Sequence, residues 1–240
     1  MFEGPSPTGA LTAGRLLWRT LRVWARHAHA FTAVAIVVEL PLAALELRAG
    51  SFDDPGREAL FLIFAWFLGT LASGALSFGV LESLAGRRPR VGSMLGTAAA
   101  RLWPIFAAAA LYALTVLVGL FALLIPGVLA LLAGYLAVPA VVAEPRLGPD
   151  AALRRSWSLT AGHRIVLLVV VAALLALDLL VGVAAEKLLP GFGLPQPVTV
   201  GITTVLDAAV NGLTGCCAAV AYHELRIRKD QSPAGGRFAA

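Results

Sequence analysis

Between Arg101 and Glu144 lie 42 residues without one charged side chain. Nothing constrains the fold of this chain more. A surface helix keeps one face for water, and a buried strand ends after about 4–8 residues. This segment does neither. It is about twice the ~20 residues needed to cross ~30 Å of hydrocarbon. Pro126-Gly127 stands near its centre, and that pair is a turn signal. The segment therefore predicts a tight hairpin of two crossings, Leu102–Ile125 and Val128–Val142. In lipid every backbone polar group must be satisfied internally, so the crossings are helices.

The same reading extends along the chain. A first crossing covers Ala30–Leu47, interrupted by Glu39 and Pro41, and a second covers Ala59–Leu81. A fifth, Ile165–Ala185, carries Asp178, and a sixth, Thr199–Tyr222, carries Asp207 and Asn211. Leu189–Pro197, with three prolines and two glycines, is a turn region. The composition agrees: 59% apolar, 14% charged, mean hydropathy +0.83. Soluble domains are ~45–50% apolar and ~25% charged, and disordered chains are apolar-poor. The expected class is all-α: a single polytopic membrane domain of six transmembrane helices. The first apolar stretch, Phe31–Val38, runs on without a cleavage-type ending, so it reads as a retained span rather than a signal peptide.

Charge sorts by side. Arg15, Arg19, Arg22 and Arg26 precede the first crossing, and Arg87, Arg88, Arg90 and Arg101 follow the second. Arg146, Arg154, Arg155 and Arg164 follow the fourth, and Arg226, Arg228, Lys229 and Arg237 follow the sixth. Only Arg48, Arg57 and Lys187 fall opposite, where Glu46, Asp53, Asp54 and Glu58 make the first loop acidic. Lys and Arg accumulate in cytoplasmic loops, so both termini are expected in the cytoplasm. The net charge of +5 is then a product of topology, and no nucleic-acid partner is expected.

Arg15, Arg19, Arg22 and Arg26 share one helical face, beside Leu17, Trp18, Leu21 and Trp24. A basic stripe next to Leu and Trp suits a helix in the headgroup layer. Pro149–His163, with Leu153 and Trp157 one turn apart, and Val91–Arg101 are further candidates. Each precedes a pair of crossings. Three parallel units follow, near 11–84, 91–143 and 149–225, with 226–240 as a flexible tail. Arg22-Val23-Trp24, Arg101-Leu102-Trp103 and Arg155-Ser156-Trp157 recur where these helices meet a crossing.

The residues of 125–164 carry a resemblance. Ile125-Pro126-Gly127, Val138-Pro139, Ala143-Glu144, then Ala152-Leu153-Arg154-Arg155-Ser156-Trp157-Ser158-Leu159-Thr160 and Gly162-His163 resemble a bacterial membrane family. It includes the membrane domain attached to some glycerophosphodiester phosphodiesterases and stand-alone six-helix proteins of the inner membrane. Tyr222-His223-Glu224-Leu225-Arg226 is similar to the family's ending. The resemblance implies an inner-membrane protein without an assigned reaction; no hydrolase domain is present, so no phosphodiesterase activity carries over. In the residues themselves, Glu144 is placed to pair with Arg146, Arg154 or Arg155 and pin an interfacial helix against a span end, with Trp157 as its anchor.

Three carboxylates, Glu39, Asp178 and Asp207, fall inside crossings with no Lys or Arg at their depth. Such groups are costly and face protein or a wet cavity. Asn211, Thr203, Thr204 and a carbonyl freed by Pro41 are their expected partners. They form either polar glue between helices or a proton or cation path. Gly69, Ser73, Gly74 and Gly79 read as small packing residues. The adjacent Cys216 and Cys217, and His27, His29, His163 and His223, have no metal-binding spacing. No metal or cofactor is expected, nor is enzyme activity. Two functions follow. The first is a non-enzymatic protein whose basic, Trp-rich cytoplasmic face engages anionic lipid or a protein partner, for membrane organisation or envelope homeostasis. The alternative is a small transporter or channel subunit working through the intramembrane carboxylates. The alternative demands a polar cavity reaching Asp178 and Asp207; a dry bundle there would count against it.

Overall fold

A computed structural model describes residues 11–49 and 54–231. Asp53, Arg237, the Glu46 side chain and the tail beyond Gln231 lie outside the described residues. The chain is an all-α bundle. Its helices are α1 (Ala13–Arg26), α2 (Ala28–Ala49), α3 (Pro55–Leu84), α4 (Val91–Ala100), α5 (Leu102–Ala122), α6 (Leu124–Gly134), α7 (Ala137–Ala143), α8 (Pro149–Thr160), α9 (Arg164–Leu188) and α10 (Gln196–Asp230). Among the described residues, six segments are long and apolar enough to cross a membrane: α2, α3, α5, α6 with α7, α9, and α10. This is a multi-pass membrane protein.

The central hairpin turns three residues earlier than Pro126-Gly127. Leu123 alone is extended, and α6 begins at Leu124. Pro126 therefore occupies the first turn of the returning helix, where a missing N–H costs nothing. Gly127 permits the turn to be this short. A Cβ on Gly127 would sit 2.9 Å from the Leu120 Cα, and one on Gly119 would sit 2.9 Å from the Gly127 Cα. The pair marks the close approach of two helices rather than the reversal itself.

The fourth crossing is broken. Pro139 lacks an N–H and its ring crowds the carbonyl four residues back, that of Tyr135. The helix stops at Gly134 and restarts at Ala137. Ser156 of α8, fully buried, fills the gap. Its hydroxyl donates to the Ala133 carbonyl at 2.5 Å and accepts from the Leu136 N–H at 3.1 Å. The Ser of the Leu-Arg-Arg-Ser-Trp run is thus the repair for the Pro139 break.

The three expected units form a closed ring of contacts. Within each unit the two crossings pack together: α2 with α3, α5 with α6–α7, α9 with α10. Between units, the first crossing of each touches the second crossing of the one before: α5 on α3, α9 on α6, α2 on α10. The short helices obey the same rule. α4 lies on α2 and α3, α8 on α5, α6 and α7, and α1 on α9 and α10. The second crossings form the inner ring, with α3, α7 and α10 in mutual contact. Burial reflects this: the α6–α7 crossing is 61% buried, against 17% for α5 and α9. The equivalence lies in packing, since the recurring Arg-x-Trp sits on the short helices α1 and α8 but at the start of a crossing in α5.

The segment after Tyr222 differs from the expected flexible tail through residue 230. α10 continues to Asp230, held by Arg226 to Asp230 and Arg228 to Glu224 pairs, each at 3.8 Å, and by a Lys229 Nζ bond of 3.2 Å to the Ser158 carbonyl.

Candidate functional site

A cavity of about 730 Å³ opens in the half of the bundle away from the Arg-rich end. All six crossings line it. α3 contributes one stripe from Phe61 to Leu76, and α10 another from Thr203 to Ala218. At 1.5 Å per residue each stripe is ~22 Å long. The geometry of the inner ring explains the opening. α7 packs against both α3 and α10, whereas α6 leans on α5, α8 and α9 instead. The break at Tyr135–Leu136 is where the fourth crossing changes partners, and Tyr135 and Val138 lie at the cavity's inner end with Leu76 and Ala218. Beyond them, toward the Arg-rich end, Phe31, Val80, Met94 and Tyr222 are fully buried and close the bundle.

Glu39 on α2, Asp178 on α9 and Asp207 on α10 all line this cavity, with Asn211. The Asn211 amide donates to Glu39 Oε1 at 2.8 Å, across 172 residues of sequence. Asp178, Asp207 and Asn211 are exposed and Glu39 is half-buried. Thr203 and Thr204 hydroxyls donate to the Val200 carbonyl, so their donor protons go to their own helix and not to a carboxylate. No Lys, Arg or His lines the cavity among the described residues. The rest of its wall mixes apolar and aromatic residues, including Leu42, Leu68, Tyr112 and Tyr135, with the hydroxyls of Ser73 and Thr214. Among the described residues no three Asp, Glu, His or Cys groups converge as a metal site.

Two small residues of α3 have a different role from the expected one. Gly69 and Ser73 line the cavity, and a Cβ on Gly69 would meet nothing within 4 Å. Gly74 and Gly79 do pack closely, against Ile105 and Met94. No local pattern separates these pairs, because both lie on one small-residue helix and the splay of α6 divides them.

The Arg-rich end is a second polar assembly. Glu144 Oε1 accepts the Tyr222 hydroxyl at 2.5 Å and lies 3.6 Å from Arg155 Nε and 3.8 Å from Arg226 Nε. Arg155 is one of the expected partners; Tyr222, which ends the expected sixth crossing, is one that no spacing in the sequence pairs with Glu144. Arg154 pairs instead with Asp150 at 2.6 Å, on the surface. Arg19 of α1 turns from the basic stripe to bond Glu224, whose side chain is 7% exposed. Arg101 donates to the Val141 carbonyl at 3.1 Å.

The boundary residues divide accordingly. Arg15, Arg22 and Arg26 are exposed, but α1 also buries Leu16 and Thr20 and sets Trp24 against α10 near Gly212. α1 is thus a packed helix with one outward, basic face. Trp18, Trp103 and Trp157 are 57%, 75% and 41% exposed. Arg22 stacks over Trp18 at 5.5 Å and Arg164 over Trp157 at 5.9 Å. Pro126, Gly127 and Pro139 shape the central hairpin as described above. No family model, no curated protein and no solved structure matches this chain.

Proposed function

We propose that this chain binds and passes cations through the carboxylate-lined cavity, as a small transporter or channel subunit. One observation carries the reading: the three intramembrane acids, from three different crossings, share one open cavity without a basic residue. The Asn211–Glu39 bond ties α2 to α10 as polar glue does, but Asp178 and Asp207 line the same cavity rather than a dry interface. Intramembrane carboxylates generally face protein or a water-filled cavity and mark ion pathways. The cavity, on this reading, faces away from the cytoplasm, and the Glu144 and Glu224 networks hold the cytoplasmic end shut. The orientation rests on the Lys/Arg asymmetry. The bacterial inner membrane, and kinship with the membrane domain of glycerophosphodiester phosphodiesterases, rest on the motif of 125–164. The test is cation flux into proteoliposomes of the purified chain. Glu39→Gln, Asp178→Asn and Asp207→Asn are expected to reduce flux while leaving the thermal unfolding profile intact. Unchanged flux with lowered stability would return these residues to the role of glue.

A second reading is supported by the Arg22–Trp18 and Arg164–Trp157 stacks at the Arg-rich end. Such pairs present a cation and an amphipathic ring at the headgroup level, each charge contributing about 1 kcal/mol near an anionic surface. On it, the cytoplasmic face engages anionic lipid, or docks a protein partner, without enzymatic chemistry. Equal affinity for anionic and zwitterionic vesicles would remove this reading.

A further inference from the structure

We infer that the ligand of the cavity is an organic cation with a bulky apolar body, not a bare inorganic ion. This rests on the cation reading above and names its substrate class. Size argues first. About 730 Å³ falls within the 300–1,000 Å³ range of sites for drug-sized molecules. It would hold about two dozen waters at ~30 Å³ each. An ion that sheds its hydration needs oxygens converging at about 2.0–2.6 Å, and among the described residues no such cluster of acids exists.

The wall argues second. The acids come from α2, α9 and α10, and Leu42, Leu68, Tyr112 and Phe61 share the cavity wall with them. Carboxylates on a largely apolar, partly aromatic wall match a ligand with a cationic centre and a large hydrophobic surface. Aromatic faces also attract cations directly. A small hydrated ion would gain nothing from the leucines, and a neutral lipophile nothing from the carboxylates.

The experiment uses two probes of one shape and opposite charge. Tetraphenylphosphonium and tetraphenylborate are titrated against the full chain in nanodiscs, with protein-free nanodiscs subtracted. The phosphonium is expected to bind saturably and the borate not. Asp178→Asn is expected to weaken phosphonium binding about tenfold, the size of one lost charge contact. Gly69→Phe adds a ring where a Cβ meets open space; it is expected to fold, to occupy the cavity and to exclude the phosphonium. Equal binding of both probes, or phosphonium binding unaffected by either variant, overturns the inference. Carboxylate-dependent sodium or potassium flux without phosphonium binding overturns it while the cation reading stands. If neither inorganic nor organic cations are bound or passed, both fall.

Discussion

Replacing Ser156 by Ala removes a side chain that bridges the break in the fourth crossing. Ser156 is fully buried and bridges the Ala133 carbonyl and the Leu136 N–H. Its loss leaves one buried donor and one buried acceptor without that partner. An unsatisfied buried group costs ~1–3 kcal/mol in proteins generally, but hydrogen bonds between membrane helices average ~0.6 kcal/mol, since the disordered reference also finds partners. Two bonds to backbone that the helix cannot satisfy itself place the expected cost at about 2 kcal/mol. The cause of the break, Pro139, supplies the control. Pro139→Ala restores an N–H opposite the Tyr135 carbonyl, letting α6 run on toward α7, so Ser156→Ala should cost measurably less in that background. The assay is reversible unfolding in mixed micelles, read as a double-mutant cycle. A Ser156→Ala cost below about 0.5 kcal/mol, or strict additivity with Pro139→Ala, would refute the bridge as the repair.

Gly127→Val should lose about 1–3 kcal/mol or more by forcing α5 and α6 apart, because a Cβ there meets the Leu120 backbone at 2.9 Å; a thermal scan that leaves the variant equal to wild type would contradict the close approach. Glu144→Gln and Tyr222→Phe should each destabilise, with a coupling energy of roughly 0.5–2 kcal/mol measured by a double-mutant cycle, because the two side chains share one 2.5 Å bond. Burial, with Arg26, His29 and Arg88 nearby, pushes the His27 imidazole below its usual pKa. The folded chain then binds fewer protons than the unfolded one, so stability is full above pH ~6.5 and falls as pH drops below it. His27→Gln should flatten that acid slope in a melting-temperature profile, and an unchanged slope would reject the assignment.

Much of the architecture was legible because lipid leaves a chain few options. Forty-two uncharged residues must cross twice, and the Arg clusters alternate with the crossings whatever the side chains between them do. The three-unit plan was readable as order along the chain, but its ring closure was not, since α2 on α10 joins residues some 170 positions apart. The hairpin was foreseen and its turn misplaced, because Pro-Gly signals both a reversal and a close contact. Shared polarity alone offers Asn211, Thr203, Thr204 or a carbonyl freed by Pro41 as partners for Glu39, Asp178 and Asp207. That Glu39 and Asn211 open with Asp178 and Asp207 into one cavity depended on α6 leaning away from α3 and α10, and no local pattern encodes that. The Arg-rich face was legible as charge but not as division of labour: Arg19 and Arg155 turn inward to carboxylates, while Arg22 and Arg164 stack on tryptophan outside.

Water and cation access to the cavity can be measured with a single engineered thiol. Ser73 lines the cavity, and the native Cys216 and Cys217 are buried, so the unmodified chain is the blank. In Ser73→Cys, membrane-impermeant methanethiosulfonates of opposite charge are applied to intact cells. The account predicts labelling from outside, faster by the cationic reagent than by the anionic one, with the preference reduced in Glu39→Gln and Asp207→Asn backgrounds. No labelling, or equal rates for the two reagents, would contradict an open cavity held negative by its carboxylates.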